Sequence, residues 1–241
     1  MSTIIFTDGS SRGNPGPGGW GGIVSYEEAR EQKVKELGGK NKNTTNNRME
    51  MTAVLEALEF VVSKGLSNPI VLYTDSEYVK KGATEWIYSW QKNNWKTKSG
   101  SDVLNKDIWQ KLSLVFAKLS IEMRVIPGHS GIPGNERCDV IATGFACDNP
   151  PQLYTGSFDN YRIDLDVTKQ ISNGRSVVKS GVSSSKNKKA YSYVSCIQGI
   201  VKVHKMWAEC EARVRGQSNA RYKKTFSKED ESDVIKSFLR S

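Results

Sequence analysis

The chain has 241 residues, which is enough for one large domain or for one domain with a small companion. It is 37% hydrophobic, and no apolar run approaches the roughly 20 residues that span a bilayer, so a membrane protein is excluded. The 35 basic and 26 acidic residues give a net charge of +9, which favours a polyanionic partner such as nucleic acid.

The positive charge is unevenly distributed along the chain. Residues 1–148 carry 18 basic and 17 acidic side chains, whereas residues 149–241 carry 17 basic and 9 acidic ones. The first region is therefore nearly neutral, and the second has a net charge of +8. Two regions of different electrostatic character are joined in one chain.

Neither the start of the chain nor its cysteines indicate secretion. The first residues lack a basic leader followed by a long apolar stretch, so the cytoplasm is the expected location. The cysteines are too few and too irregularly spaced for a disulfide framework, and none forms a Cys-x-x-Cys pair. We expect free thiols at Cys138, Cys147, Cys196 and Cys210.

Residues 1–148 have the pattern of an α/β domain, because β-rich runs alternate with helical periodicity. Strands are expected at Thr3–Thr7, Ile23–Tyr26, Lys33–Leu37, Ile70–Tyr73 and Ile121–Ile126, with a Gly- and Pro-rich loop from Asp8 to Gly22. Helices are expected around Ala53 to Val61 and over Glu77–Gln91, Val103–Lys118 and Asn135–Cys147. This order predicts a mixed sheet with helices on its faces.

The rest of the chain is expected to be a linker and a small domain. Asn149-Pro150-Pro151 ends the last helix, and Ser, Gly and Lys dominate afterwards, so residues 149–188 are interpreted as a flexible linker. Strands are then expected at Tyr191–Ile197, Ile200–His204 and Ala220–Phe226, and helices at Trp207–Val214 and after Ser227. Residues 189–241 are therefore predicted to form a small α+β domain.

Four acidic residues stand where an acid is not expected. Asp8 and Asp75 each end an apolar strand, and Glu50 and Asp139 lie on the apolar stripes of their helices. For any one of them, a helix cap or a salt bridge would be a sufficient explanation. A carboxylate near the core is costly unless it is paired or binds a metal, so the four together favour a shared site.

A group of carboxylates without His or Cys ligands suits a hard cation, Mg²⁺ or Mn²⁺, and argues against zinc. Four acids are enough for two ions about 4 Å apart, which can activate water on one side of a phosphodiester and stabilise the leaving oxygen on the other. The residues therefore predict a phosphoryl-transfer site that depends on divalent cations.

Several motifs of the first region occur in a specific order and spacing. They are Thr7-Asp-Gly-Ser with Gly13-Asn-Pro-Gly-Pro-Gly-Gly, Thr45-Asn-Asn-Arg-Met-Glu, Thr74-Asp-Ser-Glu-Tyr-Val, and Gly128-His with Gly134-Asn-Glu-Arg-Cys-Asp. Over residues 1–148 the chain resembles type 1 ribonuclease H. The resemblance implies an α/β ribonuclease H-like fold, with a mixed five-stranded sheet of three antiparallel and then parallel strands, flanked by helices. It also implies hydrolysis of the RNA strand of an RNA/DNA hybrid, leaving 5′-phosphate and 3′-hydroxyl ends.

The same resemblance assigns the catalytic groups. Asp8, Glu50, Asp75 and Asp139 correspond to metal-binding catalytic carboxylates for two Mg²⁺ ions, with Mn²⁺ as a substitute. His129 stands in the block Pro127-Gly-His-Ser-Gly and would assist proton transfer to water or to the leaving group. Without this context, a lone histidine is more often a structural or surface residue.

Substrate contacts are also implied by the resemblance. Amides that both donate and accept can read the 2′-hydroxyl, which distinguishes RNA from DNA. The positions expected at the RNA strand are Asn14, Asn46 and Asn47, with Glu50 also near a 2′-hydroxyl. Thr45 and Asn105 correspond to a pocket for a DNA-strand phosphate, and Trp86 and Trp90 to a channel for the DNA strand. Turn chemistry and packing of an amphipathic helix are the plainer explanations for these residues.

The C-terminal region resembles the hybrid-binding domain of many type 1 ribonucleases H. The likeness rests on Trp207-Ala-Glu-Cys-Glu-Ala-Arg-Val and Asn219-Ala-Arg-Tyr-Lys-Lys-Thr-Phe. It implies that Tyr193 and Trp207 contact DNA sugars and that Lys223 and Lys224 contact phosphates. The alternative is a small basic domain with another partner.

The leading hypothesis is thus a monomeric endonuclease for RNA/DNA hybrids, tethered to a module that raises the local substrate concentration. One alternative in the same superfamily is a DNA strand-transfer or proofreading enzyme. Proofreading enzymes carry Asp-x-Glu on the first strand, which Asp8-Gly9-Ser10 does not match. A further alternative is a noncatalytic hybrid-binding protein in which the carboxylates only stabilise the structure.

Overall fold

The computed structural model describes residues 2–66, 69–128, 130–167, 191–197, 199–214, 217, 220–225 and 227–239. The contacts between residues divide the chain into two compact units, with the division after residue 176. Among the described residues, no helix is long and apolar enough to cross a membrane. All four cysteines are free thiols, as expected, and only Cys147 is exposed.

The first unit is built on a six-stranded sheet. Its strands are β1 (Thr3–Ser11), β2 (Gly16–Glu28), β3 (Glu31–Thr44), β4 (Ile70–Thr74), β5 (Ile121–Val125) and β6 (Thr155–Ser157). They lie in the order β5-β4-β1-β2-β3-β6. The strands β1, β2 and β3 are antiparallel, whereas β4 and β5 extend the sheet in parallel from β1. The predicted mixed sheet is confirmed, and it has one strand more than expected.

Helices cover both faces of this sheet. They are α1 (Asn46–Ser63), α2 (Glu77–Lys81), α3 (Ile87–Lys92), α4 (Lys106–Phe116) and α5 (Pro133–Ala146). The helix predicted over Glu77–Gln91 is confirmed in extent, but a π-helical turn at Gly82–Trp86 interrupts it between α2 and α3. A single widened turn is too short to be recognised from the apolar spacing of the sequence.

Two hydrophobic cores lie on opposite faces of the sheet, because side chains alternate along each strand. Ile5 and Leu72 belong to the core that α1 and α4 cover. Their neighbours Phe6 and Tyr73 belong to the other core, which includes Cys138 of α5. Strand β1 is therefore buried on both sides, and Asp8 near its end is held within a rigid element.

The prediction of a loop from Asp8 to Gly22 is wrong, because most of these residues lie in strands. Strand β1 continues to Ser11 and β2 begins at Gly16, so only residues 12–15 connect them. The glycines of β2 allow α5 to approach the sheet closely, because a Cβ at Gly21 would lie 2.4 Å from the carbonyl oxygen of Cys138. Glycine is a turn signal in most sequences, whereas here it permits close contact between a helix and a strand.

Residues 149–167 correct the expected linker boundary. Strand β6 pairs with β3 in the register Val34 to Gly156. Further on, Leu165 and Val167 are buried in the same core as Phe6. A strand of three polar and small residues has no hydrophobic alternation, so the sequence could not reveal it. We call residues 152–167 the strap; the expected linker residues 168–188 lie outside the described part of the chain.

A buried carboxylate joins the strap to the sheet and to α5. Glu36 on β3 accepts two hydrogen bonds of 2.8 Å from the guanidinium of Arg137. It also accepts the backbone N–H of Tyr154 at 2.9 Å and the hydroxyl of Tyr161 at 2.7 Å. Burial raises the pKa of Glu36, but these donors outweigh burial and lower the pKa below its ordinary value.

The second unit is a small α+β domain, as predicted. Its strands are β7 (Ser192–Ile197), β8 (Ile200–His204) and β9 (Arg221–Thr225), and its helices are α6 (Trp207–Val214) and α7 (Lys228–Leu239). The antiparallel sheet has the order β8-β7-β9. Val194 and Cys196 of the central strand are buried, together with Cys210 of α6. This unit therefore has a hydrophobic core of its own.

Candidate active site

Asp8 lies on β1 at the centre of the sheet and is only 9% exposed. Its Oδ1 accepts the backbone N–H of Gly9 at 2.6 Å. A Cβ at Gly9 would lie 2.2 Å from the backbone nitrogen of Glu50, so glycine is required for α1 to approach β1. The close approach of these two elements brings Glu50 towards Asp8.

Glu50 is held in the first turns of α1 by two neutral donors. Asn46, one turn earlier, donates from Nδ2 to Oε1 at 2.7 Å. The hydroxyl of Ser76, which follows β4, donates to Oε2. Burial raises the pKa of Glu50, with the charge of Asp75 adding to it, and the two hydrogen bonds only partly oppose the rise.

Asp75 follows β4, which is the parallel neighbour of β1. Residues at the carboxyl ends of adjacent parallel strands meet at one edge of a sheet, which is why Asp8 and Asp75 converge. The loop after β5 passes close to Asp75, because a Cβ at Gly128 would lie 2.8 Å from its Oδ2. His129 follows in this loop, but it lies outside the described residues.

Asp139 approaches from α5, on the other face of the sheet. The hydroxyl of Thr143, one turn later on the helix, donates to Asp139 Oδ1 at 3.2 Å. The same hydroxyl lies 3.4 Å from that of Ser10 on β1. Asp139 is therefore positioned next to the strand that carries Asp8.

The electrostatics link these four side chains, which we call the acidic cluster. The pKa of Asp8 is raised to about 8, first by burial and then by the negative charge of Asp75, with smaller contributions from Asp139 and Glu50. The hydrogen bond from Gly9 opposes this rise. The four acids predicted from the sequence thus lie close enough to repel one another.

The donor chemistry of the acidic cluster fits a hard divalent cation. Its ligating atoms are carboxylate oxygens, which Mg²⁺ and Mn²⁺ prefer, and its repulsion would be relieved by a positive ion. In the part of the chain that the structure describes, no group of three His, Cys, Asp or Glu side chains is already arranged to hold a metal ion. The cluster is suited to a cation by composition and charge, and its side chains would have to adjust around the ion.

Thr45 and Asn105, expected at a phosphate pocket, are brought together by Arg48. Thr45 caps α1 and accepts the backbone N–H of Arg48 at 3.4 Å. The guanidinium of Arg48 donates to Asn105 Oδ1 at 3.3 Å and forms an ion pair of 2.6 Å with Asp107. The pocket is therefore polar and contains a cation that the sequence analysis did not single out.

Trp86 and Trp90 form part of an aromatic group around the break between α2 and α3. Their ring centroids are 5.5 Å apart, and Trp90 lies 5.6 Å from Trp109 of the core. Tyr78 contacts Trp86 at a centroid distance of 5.8 Å. Both predicted channel residues are half-buried, so each ring packs on the protein and keeps part of its surface accessible.

The amides expected at the RNA strand surround the same edge of the sheet. Asn14 is exposed in the connection between β1 and β2. Asn46 is exposed as well, and Asn47 is half-buried, both in the first turn of α1. Because Asn46 donates to Glu50, it joins this polar edge directly to the acidic cluster.

In the second unit, three aromatic rings form a row. Trp207 lies 5.5 Å from Tyr193 and 5.4 Å from Tyr222, measured between ring centroids. Lys223 and Lys224 are exposed on β9, beside Tyr222. Tyr222 is not among the residues predicted from the sequence, although its place directly before the two lysines on a predicted strand could have indicated it.

The comparisons with known proteins agree with this architecture. A family model for RNase H matches residues 1–146. The ribonuclease H of Cyanothece sp. is 52% identical over 149 residues, which are 62% of this chain and 92% of that protein. The ribonuclease H of Thermosynechococcus vestitus is 46% identical over 151 residues, which are 63% of this chain and 92% of that protein.

Solved structures show the same fold. A type 1 RNase H with the type 2 active-site motif is 30% identical, with a TM-score of 0.57, and the match covers 66% of this chain and 79% of that chain. A foamy viral protease-reverse transcriptase, solved in complex with RNA/DNA hybrid, shares the fold with a TM-score of 0.50 at 20% identity, over 60% of this chain and 20% of that chain. The chain belongs to the RNase H family and is a ribonuclease H enzyme.

Proposed function

We propose that the chain is an endonuclease that hydrolyses the RNA strand of RNA/DNA hybrids and leaves 5′-phosphate and 3′-hydroxyl ends. The observation that carries the proposal is the acidic cluster, in which three acids from three other elements raise the pKa of Asp8. Membership of the RNase H family supports the same reaction.

Within this proposal, Asp8, Glu50, Asp75 and Asp139 hold two Mg²⁺ ions, for which Mn²⁺ can substitute. The ions would supply an activated water and charge stabilisation at the leaving oxygen. The chain itself contributes the orientation of the ligands. Hydrogen bonds from Asn46 and Ser76 orient Glu50, and the Thr143 hydroxyl orients Asp139.

We further propose that His129 assists proton transfer to water or to the leaving group. The support is positional, since the preceding residue Gly128 lies against Asp75. Imidazole is suited to this role because it exchanges protons near neutral pH. A His129→Ala variant that cuts at the wild-type rate throughout the neutral pH range would contradict this assignment.

Hybrid selectivity is proposed to come from two sets of residues on the first unit. Asn14, Asn46 and Asn47 would contact 2′-hydroxyls of the RNA strand, because their amides can donate and accept. For the DNA strand, Thr45 and Asn105 would hold a phosphate, next to the Arg48 guanidinium that is ion-paired with Asp107. Trp86 and Trp90, half-buried with their rings 5.5 Å apart, would offer surfaces for the DNA sugars.

For the second unit we propose binding of the same hybrid. Its support is the row of Tyr193, Trp207 and Tyr222, with Lys224 opposite Tyr193 on the same face of the sheet and Lys223 exposed on the same strand. The net charge of +8 over residues 149–241 favours a polyanion. A small basic domain with another partner remains the second candidate, and a binding assay with hybrid, duplex RNA and duplex DNA separates the two.

The direct test uses hybrid with each strand labelled in turn. We expect cleavage of the RNA strand only, and products that accept a 5′ label only after phosphatase treatment, because the new 5′ ends carry phosphate. Duplex DNA and duplex RNA should remain intact. Cutting of duplex DNA would favour a strand-transfer enzyme, and binding of hybrid without cutting would favour a noncatalytic protein.

We also propose that the enzyme acts as a monomer. Analytical ultracentrifugation at the concentration used for the cleavage assay tests this.

A further inference from the structure

Ser76 places a buried hydroxyl between two members of the acidic cluster. It directly follows Asp75 in the chain, and its hydroxyl donates a hydrogen bond to Oε2 of Glu50. Ser76 is 4% exposed. Since Glu50 belongs to α1 and Ser76 directly follows Asp75 in the connection between β4 and α2, this bond joins two segments that each carry an acid of the cluster.

The backbone holds Ser76 rigidly. Its N–H donates to the hydroxyl of Thr74 at 3.2 Å, and its carbonyl accepts the N–H of Lys80 at 3.1 Å. Its hydroxyl oxygen accepts the N–H of Val79 at 3.3 Å. A hydroxyl has one proton, and the Val79 N–H occupies one lone pair, so the proton remains directed at Glu50. The donor is thus in place before any ligand arrives.

Glu50 needs such a donor more than a surface carboxylate would. Its side chain has three rotatable bonds, and the adjacent Asp75 repels its charge. Asn46 orients Oε1 from within α1, whereas Ser76 alone among the described residues donates to Oε2. Without the hydroxyl, Oε2 would be free to turn away from the cluster.

We propose that Ser76 is a positioning residue, whose hydroxyl fixes the Glu50 carboxylate in the orientation that binds a divalent cation. The inference rests on the proposed role of Glu50 as a cation ligand. In this role, Ser76 would not contact the substrate. Its effect should appear in cation affinity and in the turnover number, and not in the affinity for hybrid.

Ser76 also caps the N-terminus of α2, and this alone could explain a serine here. The two roles use different parts of the hydroxyl. The cap needs only the oxygen as an acceptor, whereas positioning needs the proton as a donor. Glycine at an N-cap costs much less stability than alanine does, and neither residue can donate. Threonine retains both functions.

The experiment compares Ser76→Ala, Ser76→Gly and Ser76→Thr in the full chain. Binding of Mg²⁺ is measured by titration calorimetry without nucleic acid, and kcat and KM on hybrid are measured at limiting and at saturating Mg²⁺. Loss of a residue that orients a metal ligand typically weakens metal binding or activity about 10- to 100-fold. We expect the Ala and Gly variants to bind Mg²⁺ more weakly by a factor in this range and the Thr variant to resemble the wild type.

The kinetic result should separate positioning from substrate binding. For the Ala and Gly variants, kcat should fall at limiting Mg²⁺ and partly recover at saturating Mg²⁺, while KM for hybrid stays within about twofold. Ser157→Ala is the matched control, because Ser157 also caps a helical turn through its hydroxyl but lies on the strap. It should leave Mg²⁺ affinity unchanged.

Three results would overturn the proposal. Wild-type Mg²⁺ affinity in Ser76→Gly together with weak binding in Ser76→Ala would reduce Ser76 to a cap. Wild-type affinity in both would remove any role, and weak Mg²⁺ binding in a folded Ser76→Thr variant, which keeps the donor, would show that the hydroxyl is not what orients Glu50. Thermal unfolding shows whether each variant folds. If Ser76→Ala does not fold, the comparison of Ser76→Gly with Ser76→Thr decides whether the hydroxyl proton is needed. If the wild type bound Mg²⁺ but left hybrid intact, the proposed function would fail, and the Mg²⁺ comparison would still test Ser76.

Discussion

Glu36 and Arg137 form two parallel hydrogen bonds of 2.8 Å each, which connect strand β3 to helix α5. The Glu36 carboxylate is fully buried, and the pair is completed by donors from the strap. Arg137 stands two residues before Asp139, so this ion pair anchors the helix that carries one of the four acids. The fold and the site are therefore coupled through a contact outside the site.

Replacing Glu36 should destabilise the protein strongly. In Glu36→Gln the charge of Arg137 loses its partner in a buried setting, and breaking such a pair typically costs about 3–5 kcal/mol. The free energy of unfolding is measured by urea titration at neutral pH. Glu28→Gln is the control, because Glu28 bonds Lys33 and Lys64 at an exposed position and should contribute far less. Equal losses of unfolding free energy in Glu36→Gln and Glu28→Gln would contradict the claim that burial makes the Glu36–Arg137 pair important for stability.

The Glu36 pair also predicts a dependence on pH. Its pKa in the folded protein lies below the ordinary value of 4.5, so the stability it contributes is fully present above that value. That contribution is lost as the pH falls through the lower pKa of the folded state. The difference in unfolding free energy between wild type and Glu36→Gln should therefore shrink with acidification below about pH 4. A difference that stays constant down to about pH 2 would show that ionisation of Glu36 is not involved.

Close contact between β2 and α5 gives a second stability prediction. In Gly21→Ala the new Cβ would lie 2.4 Å from the carbonyl oxygen of Cys138, so helix or strand must move. Overpacking of this kind costs about 1–3 kcal/mol or more. In Gly22→Ala, on the same strand, the nearest atom would lie 3.7 Å away, and the change should be neutral or slightly stabilising. Thermal unfolding of the two variants compares them directly.

The acids of the cluster could be predicted from the sequence because their positions follow simple periodicities. In the sequence, Asp8 and Asp75 each follow an apolar run typical of a strand, and Glu50 and Asp139 lie on apolar helix stripes, so the pattern predicts that they share a site. The local sequence is enough to predict these four residues, since the direction of each side chain depends only on the strand or helix that carries it.

Glu36 could not be predicted in the same way. It lies in the run Lys33-Val-Lys-Glu-Leu37, where alternation places it on the same face as Val34, but a glutamate on a strand is ordinarily exposed to solvent. Its burial depends on the strap, which returns to β3 from more than a hundred residues later. Ser76 lies in the motif Thr74-Asp-Ser-Glu-Tyr-Val, but its role is not predictable from the sequence, because a hydroxyl gains its role only from the neighbour it contacts.

The acidic cluster should oppose folding when no cation is present. Because burial and neighbouring charges disfavour ionised Asp8, the neutral Asp8→Asn variant should be more stable than the wild type in EDTA. Added Mg²⁺ should raise the melting temperature of the wild type by mass action and affect the variant less. Differential scanning calorimetry measures both effects. Two results would argue against the cluster as a cation site. One is an Asp8→Asn variant that melts at a lower temperature than the wild type in EDTA. The other is an increase in melting temperature on adding Mg²⁺ that is as large in the variant as in the wild type.

The second unit should account for much of the salt dependence of hybrid binding. Deleting residues 189–241 removes exposed lysines such as Lys202 and Lys223, so affinity should fall and its dependence on salt should become shallower. Binding is measured by fluorescence anisotropy over a range of salt concentrations. Lys223→Ala in the full chain should lower the slope of log affinity against log salt by about 1, if Lys223 contacts one phosphate. An unchanged slope after the deletion would point to another partner for this unit.

The central claim is that the acidic cluster cuts the RNA strand of a hybrid. The most direct measurement is single-turnover cleavage of a hybrid, with duplex DNA and duplex RNA in parallel, by the wild type and by Asp8→Asn and Asp75→Asn in Mg²⁺. We predict cleavage of the hybrid RNA strand alone by the wild type, and a loss of about 100-fold or more in each variant, since each removes a carboxylate that would hold a catalytic cation. Cleavage of the hybrid by either variant at the wild-type rate would contradict the account.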